Sequence, residues 1–169
     1  MNRHGLIGLP AVSLVALVMA SSGAVSQQTS LRQQLVGAWT LVSIISTDKQ
    51  GVKSERRGPN PKGLLIFDAS GRYSILTARS DIANFKINNV DQGTPEENKA
   101  VLTGMIANIG TWSVDEASKT LIQHWDGALF PNNEGRETKS SIILTGDELK
   151  LVGTSPAGST DTDVYRRAK

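Results

Sequence analysis

The groups in this chain that could do chemistry are few: one histidine beyond the first few residues, scattered carboxylates, some strand-end arginines and a handful of aromatics. His124 stands between Gln123 and Trp125 in a strand-like run, with Asp126 two residues on. Alternation puts His124 with Ile122 and Asp126 on one face, and Leu121, Gln123 and Trp125 on the other. An imidazole oriented by a carboxylate can move a proton or hold a ligand; its commoner role is that of a strand residue with a structural partner. No serine can be set beside it from the sequence, and the chain has no cysteine, so a nucleophile triad has no support. Asp161 and Asp163 share a strand face and read as solvated carboxylates rather than a calcium site. With no ligand cluster, neither a metal nor a cofactor is expected. Tyr73, Trp112 and Trp125 lie within strands, where they either fill a core or line a cavity. Arg72, Arg79 and Arg136 lie at strand ends; an arginine inside a cavity mouth could grip a carboxylate, exposure being its ordinary role. Asn133, in the loop before Arg136, completes the candidate ligand contacts: Tyr73, Trp112, His124, Asn133 and Arg136.

The ends and the composition bound the rest. Arg3 and His4 precede an uncharged apolar run over residues 6–20, followed by Ser21, Ser22, Gly23, Ala24, Val25 and Ser26. That order reads as a secretory signal peptide over residues 1–26, cleaved after Ser26 in preference to Ala24. A run of about fifteen residues is short for a membrane span, and no basic stop follows it. The expected product is one domain over residues 27–169, periplasmic or secreted, with no stable membrane insertion after cleavage. It folds without a disulfide. The formal charge of +2 is spread over both signs. The nearest approach to a basic cluster, Lys49, Lys53, Arg56, Arg57 and Lys62, is too sparse for a nucleic-acid footprint and reads as a solvated loop. A glycine-rich phosphate cradle is absent. The oligomeric state is not legible.

Eight strand-like segments supply the framework, over residues 39–47, 63–67, 72–77, 110–115, 120–125, 138–145, 148–153 and 160–167. Most are joined by turn chemistry such as Asp68-Ala69-Ser70-Gly71 and Gly146-Asp147. The first has blurred alternation, with Leu41, Val42, Ile44 and Ile45 all apolar, as if both faces were covered. A short entry helix is expected over residues 27–35, with Leu31 and Leu35 on one face, broken by Gly37. Thr94-Pro95-Glu96-Glu97 is a strong helix start, with a capping box and proline at the first helical position. That helix should run to about residues 108–110, with Val101, Leu102, Met105 and Ile106 on its apolar face. The expected architecture is all-β: an antiparallel barrel of about eight strands, closed because closure removes the edges, with one helix between strands three and four. A two-sheet sandwich is the alternative.

Gly37-x-Trp39 at the first strand resembles the opening of a bacterial lipocalin-like domain family. Leu35 to Ser43, Gly63 to Tyr73, Gly93-Thr94-Pro95-Glu96-Glu97 and Leu129-Phe130-Pro131-Asn132 extend the resemblance in the expected order. It implies a calycin-type barrel whose ligand is mostly undefined. It also implies that Trp39 closes the barrel floor beneath an arginine of the last strand, a cation–π contact that Arg166 or Arg167 could make. Arg166 is favoured here because it shares a face with Val164. Gly37, Trp39, Arg166 and Arg167 are thus closure residues. The family loop usually carries an aromatic residue where this chain has Asn133, which implies a more polar or more open entrance.

The function expected is that of an exported barrel holding a small hydrophobic or amphipathic organic molecule, without paired acid and base. The alternatives are an isomerase or cyclase working in the same cavity, through His124 or an inward carboxylate, and a barrel filled by side chains with a structural or interaction role.

Overall fold

Ser30 starts the ordered path by capping a short helix, α1 (Leu31–Leu35): its hydroxyl accepts from the Gln33 amide and the Gln33 side chain accepts from the Ser30 amide. The computed structural model describes residue 1 and residues 29–155 and 158–169. The expected leader, after its first residue, and the expected entry-helix start at residue 27 lie outside them. Nine strands follow: β1 (Gly37–Thr47), β2 (Lys53–Glu55), β3 (Lys62–Phe67), β4 (Arg72–Ala78), β5 (Met105–Asp115), β6 (Thr120–Ala128), β7 (Glu137–Thr145), β8 (Glu148–Thr154) and β9 (Thr160–Arg167). A second helix, α2 (Pro95–Gly104), precedes β5.

Each strand from β3 to β9 pairs antiparallel with the next, and β9 returns to β1 over residues 39–47, closing the sheet. β3 and β2 share the other side of β1: β3 takes residues 37–40 and β2 takes residues 45–47. The wall is therefore a closed antiparallel barrel of eight strands, with β2 completing one of its positions. Because β2 enters the count, the helix lies between the fourth and fifth strands and not between the third and fourth. Its start carries the capping box, with Thr94 Oγ1 accepting from Glu97 N at 3.2 Å and Glu97 returning to Thr94 N at 2.8 Å. It ends at Gly104, earlier than expected, because Met105 and Ile106 join a seven-pair ladder with β4. A sheet ladder outweighs the weak propensity of these residues to continue a helix.

Two bulges set which residues face inward. In β1 the register shifts between Leu41 and Ser43, so Leu41 and Ile44 are both buried while Val42 is exposed. The blurred alternation there records a bulge, not a strand covered on both faces. The second shift lies between Ile109 and Gly110, opposite Asp126 of β6. A Cβ at Gly110 would collide with the His124 carbonyl, so this position requires glycine.

The barrel is filled at the end where β1 starts. Trp39, Leu65, Phe67, Leu121, Leu149 and Tyr165 are buried together there. Trp39 Nε1 donates to the Leu35 carbonyl at 2.8 Å, which draws α1 across the floor. The Arg167 guanidinium lies 4.2 Å from the Trp39 ring centroid and donates to the carbonyls of Gln34 (2.7 Å) and Val36 (3.3 Å). A cation at the end of a helix also meets its negative dipole end. Arg166, the favoured closure residue, is exposed instead. Alternation from the fully buried Tyr165 puts Arg167 inside and Arg166 outside, and the apolar Val164 was a poor guide to the inward face. Beside this contact, Arg32 lies 4.7 Å over Trp112, and Trp112 packs on Phe67 at 4.6 Å. Glu116 accepts from the amides of Leu31 and Arg32, so its carboxylate covers the start of α1.

Arg167→Ala is expected to lower the unfolding free energy by about 2–3 kcal/mol, combining a cation–π contact with two carbonyl bonds. Arg166→Ala should change it by less than about 0.5 kcal/mol. Urea denaturation followed by tryptophan fluorescence compares them, and equal losses would remove Arg167 from the closure.

Candidate ligand-binding cavity

Above the apolar floor the inward residues change character. On β9 the inward series runs Tyr165, Asp163, Asp161 toward the open end, and on β7 it runs Ile142, Ser140, Thr138. Packing stops where the polar residues begin, leaving a cavity of about 310 Å³ at the open end. This is at the small end of the range for ligand sites. Trp125, Ile106 and Leu151 form its apolar wall, Arg56, Asp161 and Asp163 its charged wall, and Asn133 and Arg136 belong to its rim. Grooves of about 690 Å³ beside α1 and about 680 Å³ in the loop over residues 82–90 are larger but lie outside the barrel.

The two arginines come from the turn after β2. Arg56 N donates to the Ile44 carbonyl at 3.0 Å, continuing the ladder with β1, and Gly58 N closes a turn onto Glu55 O at 3.0 Å. Gly58 has φ +65°, in the left-handed region that favours glycine. The turn places Arg57 inside, 5 % exposed. Arg57 Nε donates to Thr77 Oγ1 and its Nη1 to the Arg56 carbonyl, each at a long 3.4 Å. Arg56 Nη1 forms an ion pair with Asp161 Oδ2.

The carboxylates are in an unusual position. Asp161 Oδ1 is buried and has no hydrogen-bond partner among the described residues, and the same holds for the Tyr165 hydroxyl. Asp163 lies across from Ile44 on β1 and Leu151 on β8, both buried. Burial in that apolar setting, then repulsion from Asp161, pushes its pKa up to about 6, against the attraction of Arg56 and Arg57. The Tyr165 hydroxyl interacts with Asp163 without good hydrogen-bond geometry. Burial, followed by the Asp163 charge, holds Tyr165 far above the ordinary phenol range. Burial also lowers the Arg57 pKa, with Arg56 adding to the effect.

The five residues expected to touch a ligand separate cleanly. Asn133 and Arg136 lie at this cavity, and Arg136 sits 5.7 Å from the Trp125 ring. Tyr73 and Trp112 are in the filled half: Tyr73 Oη donates to Asn108 Oδ1 at 2.7 Å, and burial pushes its pKa up, so it stays a neutral donor. His124 points outward with its side chain 49 % exposed, its Nε2 3.8 Å from Asp126 Oδ1, while Arg72 holds Asp126 Oδ2 at 2.6 Å. Arg57, Asp161 and Asp163 were read as solvated and are not, whereas Arg56 stays exposed, as expected. The overlooked signal was the parity of β9: once Arg167 is set over Trp39, Asp163 and Asp161 must face inward. Among the described residues no three His, Asp or Glu side chains gather as metal ligands.

No curated protein matches the chain. Among solved structures it is similar to a redesigned β-barrel at 15% identity, covering 83% of this chain and 100% of that one, with a TM-score of 0.43. It is also similar to a de novo designed fluorescence-activating β-barrel, at 11% identity, covering 83% and 99%, with a TM-score of 0.43. An asparagine-to-alanine variant of the fluorescent protein UnaG matches at 13% identity, covering 81% and 98%, with a TM-score of 0.37. The sequence pattern of the lipocalin-like domain matches residues 36–164, from the residue before β1 into β9, and the chain belongs to that lipocalin-like family.

Proposed function

We propose that this protein is an exported carrier that holds a small, partly apolar organic molecule in the open half of its barrel. The observation that carries the reading is the half-filled interior. The floor is packed, whereas the open end keeps a cavity of about 310 Å³ between an apolar wall and a charged one. A barrel whose role were only structural has no reason to bury Asp161 Oδ1 without a partner among the described residues, which costs about 1–3 kcal/mol. Export rests on the apolar run over residues 6–20 and the small residues after it.

The position of Asp163 favours a second reading, an isomerase or cyclase. A carboxyl that titrates near 6 inside a cavity can give and take a proton at neutral pH. His124 faces away from the cavity, so it is not the group for such a step.

Native mass spectrometry of protein purified from its own host is expected to show a small adduct that denaturation releases. Ser140→Phe, which fills the cavity without removing a charge, should lose it; an adduct that persists in this variant lies elsewhere. N-terminal sequencing of the exported protein should begin at Gln27.

The ionisation of Asp163 has a sign that can be checked. Its pKa is higher in the folded state than the unfolded value of about 3.9. The stability from the protonated form is complete below the unfolded value and is lost as pH rises through about 6. Asp163→Asn should therefore be more stable than the parent at pH 8, by up to about 3 kcal/mol, and equal to it near pH 3.5. Guanidinium melts at the two pH values measure this. A variant that is less stable at pH 8 would mean that the ionised carboxylate is held by its arginines.

A further inference from the structure

We propose that the outer face of β3, β4 and β5 is the contact between two copies of this chain, related by a twofold axis that runs across these strands. The proposal is independent of the container reading, because it uses the outside of the wall. Alternation sends every second residue of a strand outward, and the register sets these residues in rows. One row runs Leu64, Leu76, Ala107 and Leu129; the next runs Ile66, Ser74, Ile109 and Gly127. None of the eight is charged, and Leu64, Ile66, Leu76, Ile109 and Leu129 are each between 40 % and 50 % exposed. Exposed apolar residues standing singly are ordinary, whereas a contiguous set marks an interaction surface. On this face lies a groove of about 380 Å³, with the small residues Ser74, Ala107 and Gly127 in its lining.

Shape and charge together name the occupant. Two such sheets laid face to face about an axis across the strands run antiparallel, and each row meets the other row of the second copy. Leu76 of one copy then lies over Ser74 of the second, Ile109 over Ala107 and Leu129 over Gly127. Large side chains thus enter the groove at its small positions, and the symmetry makes each contact twice. The axis passes over Leu65, so Lys62 at the start of β3 falls over Asp68 of the second copy. Asp68 continues the β3 ladder, its amide donating to the Arg72 carbonyl at 2.8 Å, and both Lys62 and Asp68 are exposed on the outward parity. Opposite charges therefore meet at both ends of the contact. An axis along the strands would instead keep each row on itself and bring Arg72 over Arg72, so like charges disfavour it. An anionic lipid surface would select basic residues at both ends of β3, whereas this face carries one charge of each sign.

Three adjacent strands of a curved wall supply about half the area of a standard interface, so the dimer is expected to be weak, with a dissociation constant of about 10–100 µM. Sedimentation velocity of the host-purified protein between about 5 and 500 µM measures it. Ile109→Lys, which puts a charge in the middle of the face, should leave the protein monomeric throughout that range. Lys62→Glu should weaken the dimer about fivefold or more, because it sets a carboxylate against Asp68 twice. Lys62→Glu combined with Asp68→Lys in one chain exchanges the two charges and should return the affinity to within about twofold of the parent. Circular dichroism melts establish that each variant is folded. A parent that is monomeric at about 500 µM, or a dimer that neither Ile109→Lys nor Lys62→Glu weakens, overturns the proposal. A folded double variant as weak as Lys62→Glu overturns the antiparallel pairing. Cosedimentation of the monomer with phosphatidylcholine vesicles, abolished by Ile109→Lys, would give the face to a lipid surface and overturn it as well.

Discussion

The stack of Arg167 on Trp39 is the constraint on which the rest of the interior depends. It joins the first and last strands where the sheet closes, and through the carbonyls of Gln34 and Val36 it also ties down the segment that crosses the floor. Its influence reaches further than its contacts. Side chains in a strand alternate with a period of two, so a residue held inward at one end dictates every second residue to the other end. With Arg167 inside, Tyr165, Asp163 and Asp161 must be inside too. The charged wall of the cavity is thus a consequence of how the floor is sealed.

That coupling divides the barrel into halves with opposite energetics. In the floor, each inward side chain removes apolar area from water, and Trp39, Phe67, Trp112 and Tyr165 supply most of the bulk. In the open half, inward residues resist burial: Arg57 is nearly enclosed with two long hydrogen bonds, and Asp163 is desolvated between Ile44 and Leu151. The floor provides the stability that lets the upper half keep unsatisfied groups. Such groups clustered in a cavity are the usual mark of a site rather than of a core.

The strands, the start of α2 and closure of the sheet were legible because they rest on local signals: alternation, the Thr94 capping box and turn residues. What failed was whatever depended on parity across a bulge or at the closure. The bulge at Val42 hid the inward pair Leu41 and Ile44 in a run that looked apolar on both sides. Arg166 was favoured over Arg167 because Val164 looked like an inward residue, and that choice sent Asp161 and Asp163 to the solvent. Spacing alone does not distinguish a buried acidic pair from a solvated one, since both recur at every second residue. Arg57 was lost for a related reason: in a polar, glycine-containing loop, nothing local says that a tight turn will aim it through the wall. Asn133 and Arg136 lie at the cavity because the loop that carries them opens onto it, whereas His124, the sole histidine of the described residues, faces out.

The mismatch between the halves also bears on how a ligand would act on the protein. The polar half holds its groups in a destabilised arrangement, so a molecule that offsets their charge would do more than fill space. It would offset the desolvated charge of Asp163, and that gain would appear as folded-state stability through binding linkage. An apolar molecule of the same size would gain only the contacts of Trp125, Ile106 and Leu151. The charge of the cavity's wall, and not its size alone, would then decide what it holds, and that charge is set at the far end of β9 by the arginine on Trp39.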